Sequence, residues 1–397
     1  MSKPVSNVCL IGHKFMGRTH SNAYLKVDKF FDLPVLPVMH TVCGRNQEEL
    51  SAFASRWGWK NASADYKTAV KNPDIHLVDV TSANNGHAEM SIAALEAGKH
   101  VACEKPLAGT LADARQMRDA ARKAKNSKTF VWYVYRRTPA VALAYQLAKA
   151  GKLGRIYHIR AYYLQDWAKP DVPLIWRFSK AVSGSGSNGD LGAHIIDMAR
   201  FITGDEISEV IGSVQETFVK ERTIPAEGSK GGIAGGAKAD EGKKGKVDID
   251  DATIFLARFN SGAIATFEAT RFATGNQNKN GLEINGEKGS IMFDFEDMNH
   301  LSYYDATADR KVQGWTKIMA TSGGNHPYAG NWWPDAHIIG YEHTFINEAA
   351  DIFSVLGGQP PVVPLPDFED AYKTQQVLEA ATISAEQRRP VKVSEIS

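Results

Sequence analysis

The chain has 397 residues, with 46 Lys and Arg against 45 Asp and Glu and a formal net charge of +1. At roughly 100–200 residues per domain, that length predicts two or three domains. The charge balance excludes a strongly basic nucleic-acid binder, and no apolar run reaches the length needed to span a bilayer.

The first 135 residues alternate short β-rich runs with helical patterns. Val5–Ile11, Leu36–Cys43, Ile75–Val80, His100–Cys103 and Thr129–Tyr133 read as buried strands. Ala88–Ala97 and Leu111–Lys125, rich in Ala, Glu, Arg and Met, read as helices between them. Such alternation predicts βαβ units with right-handed crossovers, hence a doubly wound parallel sheet of the Rossmann type over residues 1–137. After Gly151 the runs are longer and alternate in polarity: Arg155–Leu164, Glu209–Val219, Ala252–Asn260 and Ala263–Arg271. Turn signals at Asn260-Ser261-Gly262, Asn285-Gly286 and Lys288-Gly289 make this an α+β domain, 138–367, with a large, mostly antiparallel sheet. One helix, Leu191–Ile202, interrupts its strands, and the Gly/Lys-rich stretch Glu227–Lys246 reads as a mobile surface loop. Helices follow at Tyr341–Leu356 and Phe368–Gln387, the second opening a C-terminal segment, 368–397, that packs back on the first domain and ends in a strand-like Val391–Val393.

Three cysteines, Cys9, Cys43 and Cys103, each sit in a strand-like run and form no disulfide framework. Met1-Ser2-Lys3-Pro4 leads straight into an apolar alternating segment with no signal-peptide pattern, so the cytoplasm is the expected compartment. The twelve histidines are scattered without ligand spacing, and no metal site is expected.

In a doubly wound sheet, ligands sit outside the carboxyl ends of the strands. The first strand ends in Gly12-His13-Lys14-Phe15-Met16-Gly17, a glycine turn opening a helix whose N-terminus suits a pyrophosphate. Lys14 stands where a second glycine is usual. The second strand ends at Gly44-Arg45 with no Asp or Glu for ribose hydroxyls, so Arg45 favours NADP over NAD. Ser82, Asn84 and His87 follow the third strand, and Glu104-Lys105-Pro106 the fourth. Pro106 invites a cis bond that would aim Lys105 into the crevice. In the second half, Asp190 lies near a helix start with His194 four residues on, so carboxylate and imidazole share a face.

These residues resemble a family, the Gfo/Idh/MocA oxidoreductases. The resemblance is carried by Glu104-Lys105-Pro106, by the run from His87-Ala88-Glu89-Met90 to Ala97-Gly98-Lys99-His100-Val101, and by Asp190 with His194 in a Gly-Asp-x-Gly-x-His pattern. Lys14, Ala83 and Ala371 depart from the family's usual glycine, proline and glycine. Within the family, Tyr135 to Ala142, Tyr163 to Trp167 and Trp176 to Gly186 are similar to segments of members that oxidise sugars and glycosides. The resemblance implies oxidation of a secondary ring hydroxyl, at C3, of a pyranose, anhydrosugar or glycoside, with hydride transfer to NAD or NADP. Its glycoside-oxidising members argue for NAD, against Arg45.

On this reading Lys105, Asp190 and His194 are catalytic. His194, with an ordinary pKa near 6.5, takes the proton; Lys105 hydrogen-bonds the alkoxide; Asp190 holds the substrate hydroxyl. Gly12, Lys14, Phe15, Met16, Gly17, Gly44, Arg45, Ser82, Asn84, His87, Glu104, Lys105, Arg136 and Trp176 would hold the cofactor. Tyr135, Gln165, Trp167, Arg177, Asn188 and His337 would join the catalytic groups around the substrate, with Trp167 and Trp176 offering flat apolar faces. Alternatives are an inositol dehydrogenase, an NAD-dependent redox glycosidase and a non-catalytic nucleotide-binding protein. A homodimer or homotetramer through an open face of the second sheet is expected, with no nucleic-acid or membrane partner.

Overall fold

The computed structural model describes residues 3–225 and 239–396. The chain divides into two compact units, Met1–Ala142 with Met319–Tyr372, and Leu143–Ile318 with Lys373–Ser397.

In the first unit, strands β1 (Val5–Ile11), β2 (Leu36–Cys43), β3 (Asn61–Ser63), β4 (Leu77–Val80), β5 (His100–Cys103) and β6 (Thr129–Val131) form one sheet in the order β3-β2-β1-β4-β5-β6. Every pair is parallel. Helices α1 (Phe15–Phe30), α2 (Gln47–Trp57), α3 (Tyr66–Ala69), α4 (His87–Glu96) and α5 (Leu111–Lys123) supply the crossovers. Val8, Cys9 and Leu10 of β1 and the whole of β4 are buried, as a central strand covered on both faces must be. The strand order reverses between β1 and β4, and that switch point is where this architecture opens a ligand crevice.

The first unit also holds α9 (Tyr341–Leu356), numbered after α6 (Pro139–Lys149), α7 (Lys180–Ser183) and α8 (Ala193–Thr203). The sequence assigned residues 319–367 to the second domain; they pack with the first. The reason is α9, whose residues Thr344 to Phe353 are all buried and which lies against α1.

The second unit is built on a nine-stranded sheet. Its strands are β7 (Ile156–Leu164), β8 (Ile207–Glu216), β11 (Ala252–Phe259), β12 (Ile264–Thr270), β13 (Lys279–Gly286), β14 (Gly289–Asp294), β15 (His300–Asp305), β16 (Trp315–Met319) and β17 (Val391–Lys392). The order is β16-β15-β14-β13-β7-β12-β11-β8-β17. β7 and β12 run parallel, whereas β7/β13, β13/β14, β14/β15, β11/β12, β8/β11 and β8/β17 are antiparallel. Alternation puts Phe255, Ala257, Phe259 and Phe267 on a buried face, and α8 lies over β7 and β13. The opposite face carries Val214, Ile254 and Leu256, which are 69%, 50% and 50% exposed.

A separate hairpin pairs β9 (Glu221–Pro225) with β10 (Ala239–Lys246). Part of the stretch read as a mobile loop is therefore a strand, formed because β9 supplies a ladder its Gly/Lys composition does not announce. The rest of that stretch lies outside the described residues. α10 (Phe368–Gln387) follows the sequence bounds, but from Lys373 onward the C-terminal segment packs with the second unit and not the first, because β17 pairs with β8.

Candidate active site

The turn after β1 is shaped by two glycines. Gly12 has φ +116, and a Cβ there would stand 2.7 Å from the Thr81 carbonyl oxygen. At Gly17 a Cβ would fall 2.3 Å from the Gly12 oxygen. Thr81 ties the ends of β1 and β4 together, its Oγ1 donating to the Ile11 and Gly12 carbonyls at 3.1 and 3.0 Å. Lys14 caps α1 with φ −84, a negative value that requires no glycine. The first turn of α1 has neither a side-chain cap nor an acidic residue. A helix of this length with open N–H groups and a tight glycine approach fits a dinucleotide pyrophosphate. Exposed Phe15 and half-buried Met16 begin that helix.

At the end of β2, Gly44 is half-buried and Arg45 exposed. The nearby acidic group is Glu49 in the first turn of α2, which accepts from Lys14 and lies 3.3 Å from His13 Nε2. After β4, Ala83 holds φ −69 and ψ 153, the conformation a proline would impose, so its departure from the family pattern changes little. Ser82 turns its hydroxyl onto the Ala83 carbonyl at 3.1 Å, and Asn84 opens a single helical turn.

His87 is corrected by the structure. It is fully buried, its Nδ1 3.0 Å from the Pro106 carbonyl oxygen and its Nε2 3.2 Å from that of Ser82. It braces two turns instead of presenting a ring to a ligand. Burial pushes its pKa below the usual imidazole value, against the pull of those carbonyls.

The turn after β5 contains a cis Lys105–Pro106 bond, with Lys105 half-buried. Glu104 is buried; one oxygen accepts the Lys105 amide at 3.1 Å and the other lies 2.9 Å from His20 Nε2. His20 Nδ1 is 2.8 Å from Asp79, which also accepts from Tyr24 at 2.6 Å and Trp132 at 3.0 Å. Tyr135 is buried, and Arg136 pairs with Asp370 at 2.6 Å. His337 is exposed and bonded within its own turn to the Pro334 carbonyl.

In the second unit, a π-helical turn over Asn188–Gly192 runs into α8. Asp250 holds it, accepting from the Gly186 amide at 2.7 Å, the Ser187 hydroxyl at 2.6 Å and the Asn188 amide at 2.7 Å. The Asp190 carboxylate lies between two guanidinium groups, Arg271 at 2.8 Å and Arg177 at 3.3 Å. His194 is buried, 5.7 Å from the Tyr163 ring. Gln165 donates to Asn278 at 2.8 Å and accepts from Trp167 at 2.7 Å. Arg177 lies over Trp176 at 4.5 Å and Arg271 over Trp167 at 5.2 Å.

Asn188 is the second correction. It is buried, and its amide donates to the Leu378 carbonyl and the Thr382 hydroxyl of α10, so it fastens two helices together. The sequence reading omitted His20, Asp79, Asp250, Arg271 and Asn278. One signal was available: Asp79 interrupts the fully buried run Leu77–Val80, where a carboxylate must have partners. Among the described residues, no group of three His, Cys, Asp or Glu stands together to hold a metal, and no helix is long and apolar enough to cross a membrane.

Strand order, glycine turn and open helix terminus together define a dinucleotide-binding Rossmann architecture. Residues 6–132 match the oxidoreductase family with an NAD-binding Rossmann fold, and 141–292 match the GFO/IDH/MocA C-terminal domain. The chain belongs to the Gfo/Idh/MocA oxidoreductases. It is 41% identical to levoglucosan dehydrogenase of Pseudarthrobacter phenanthrenivorans over 98% of this chain and 99% of that one. A solved levoglucosan dehydrogenase in complex with NADH and L-sorbose is similar at TM-score 0.90 and 40% identity, covering 98% of this chain and 99% of that chain. An oxidoreductase domain protein from Kribbella flavida matches at TM-score 0.91 and 45% identity, covering 99% and 100%.

Proposed function

We propose that this enzyme oxidises a secondary ring hydroxyl, at C3, of a pyranose, anhydrosugar or glycoside, with NAD as acceptor. The observation that carries the substrate class is the set in the second unit: Gln165, Arg177 and Asp190 interleaved with the Trp167 and Trp176 rings. Polar edges and flat apolar faces are what a pyranose presents. Levoglucosan, named for the relative, is an anhydrosugar of this kind.

NAD, when bound, accepts the hydride from the hydroxyl-bearing carbon. Gly12, Gly17 and the N-terminus of α1 would hold its pyrophosphate, with Gly44, Arg45, Ser82 and Asn84 on either side. The carboxylate of Glu49 beside Lys14 disfavours a 2′-phosphate, which supports NAD over the NADP that Arg45 alone suggests. His194 takes the hydroxyl proton, Lys105 donates a hydrogen bond to the developing alkoxide, and Asp190, fixed by two arginines, accepts from a neighbouring hydroxyl. The product is the ring ketone.

His194→Ala and Lys105→Ala should each lower kcat on the order of 10²–10⁴-fold, with NAD affinity retained. Near-normal turnover in a folded His194→Ala variant removes His194 from the base role. Loss of NAD binding in Lys105→Ala makes Lys105 a nucleotide ligand instead. The apolar face around Val214, Ile254 and Leu256 supports a homodimer or homotetramer through the nine-stranded sheet. Three buried cysteines, none in a disulfide, suit the reducing cytoplasm.

A further inference from the structure

His20 is fully buried on α1, with each ring nitrogen facing a carboxylate: Asp79 of β4 on Nδ1 and Glu104, after β5, on Nε2. A ring nitrogen donates to a carboxylate oxygen only when it carries a proton, so two such contacts suit an imidazolium with both nitrogens donating. Burial alone would push its pKa down; the Asp79 and Glu104 charges outweigh that and hold it up at about 10. Trp132 and Phe345 pack against the ring at 4.2 and 5.6 Å, leaving it one orientation. Other titratable neighbours of this cluster are Tyr24 on α1, Cys9 on β1 and Cys103 on β5 beside Asp79, and His87 on α4 and Glu348 on α9 beside Glu104, which Cys103 also faces. Glu104 spends its second oxygen on the Lys105 amide.

We propose that His20 is a positioning residue for Lys105: by donating to Glu104 it fixes the carboxylate that holds the Lys105 amide, and so sets where the ammonium leaves the turn. This rests on Lys105 acting at the substrate hydroxyl. The two contacts of the ring are unequal in consequence. Asp79 keeps donors from Tyr24 and Trp132 when His20 is lost, whereas Glu104 loses the Nε2 contact on one oxygen and keeps the Lys105 amide on the other.

Two variants separate the contacts. Gln places an amide nitrogen near the position of Nε2, and Asn near that of Nδ1. His20→Gln should keep kcat within about tenfold of the parent, while His20→Asn should lower it about 10²-fold, the scale of an ångström-sized misplacement. NAD affinity of the cofactor-free protein, titrated by fluorescence, should change less than about threefold in both. Equal losses in the two variants, or losses that track NAD affinity, overturn the proposal. If either variant does not fold, nitrogen-labelled histidine in the parent protein decides by NMR. A His20 ring protonated on both nitrogens at pH 8 supports the clamp, and a ring carrying one proton overturns it. Lys105→Ala, measured alongside, tells two failures apart. Full turnover there removes the role of Lys105, and with it this proposal. Lost turnover there, with His20→Asn at the parent rate, removes His20 alone.

Discussion

Glu348 offers a prediction whose size follows from its surroundings. It lies on α9, fully buried, and neither carboxyl oxygen has a hydrogen-bond partner among the described residues. Burial pushes its pKa up to about 8; Arg137 and Arg136 pull it down, while Glu104 and Asp351 push it further up. The folded protein therefore keeps Glu348 protonated between pH 4.5 and about 8, where the unfolded chain has released the proton. Stability falls as pH rises through that window, because the native state binds the extra proton. At about 1.4 kcal/mol per pH unit, the full effect above pH 8 is on the order of 4–5 kcal/mol, an upper bound because buried sites relax. Glu348→Gln cannot titrate. Its amide carries a fixed cost of about 1–3 kcal/mol for unpaired polar atoms, so the slope against pH carries the information, not the offset. Urea midpoints by tryptophan fluorescence from pH 5 to 9 should show the parent losing stability relative to the variant as pH rises to 8, then running parallel. Curves parallel throughout would refute the buried, protonated carboxyl.

Two further outcomes follow from the paired charges. Arg271→Met removes one of the two guanidinium groups that hold the Asp190 carboxylate and strips a donor from the Gly186 carbonyl. It should lower kcat/KM about 10²-fold and stability by about 3–5 kcal/mol, read by steady-state kinetics and thermal melting; unchanged values would show that Arg177 suffices. Glu49→Gln should shift the NADP-to-NAD preference roughly fivefold toward NADP, the scale of a partly exposed charge interaction. An unaltered ratio of Kd values would place the discrimination elsewhere.

The parallel sheet was legible because its strands are short apolar runs bounded by turn residues, and the bounds of β1, β2 and β5 agree with that reading. β3 escaped it, since Asn61–Ser63 is three residues with no apolar alternation. β10 escaped it because a Gly/Lys composition describes a strand only once β9 lies beside it. The strand-end glycines and Lys105 follow from chain order alone. His20 with Asp79 does not, because 59 residues separate the pair and only the folded sheet joins them. His87 and Asn188 show the reverse error. Both are polar residues at strand or helix ends that the fold spends on its own carbonyl groups and hydroxyls. α9 reads correctly as a helix, but its placement depended on which surface was left uncovered, and α1 provided it.

The most direct test incubates the purified enzyme with NAD and, separately, with NADP against free sugars, levoglucosan, alkyl and aryl glycosides and inositols. Reduced nicotinamide is followed by absorbance, and the product carbonyl is located by NMR. The account predicts NAD reduction with a pyranose, anhydrosugar or glycoside and a ketone at C3. Reduction with inositols alone, release of the aryl group without net NAD reduction, or silence across the whole panel would contradict it.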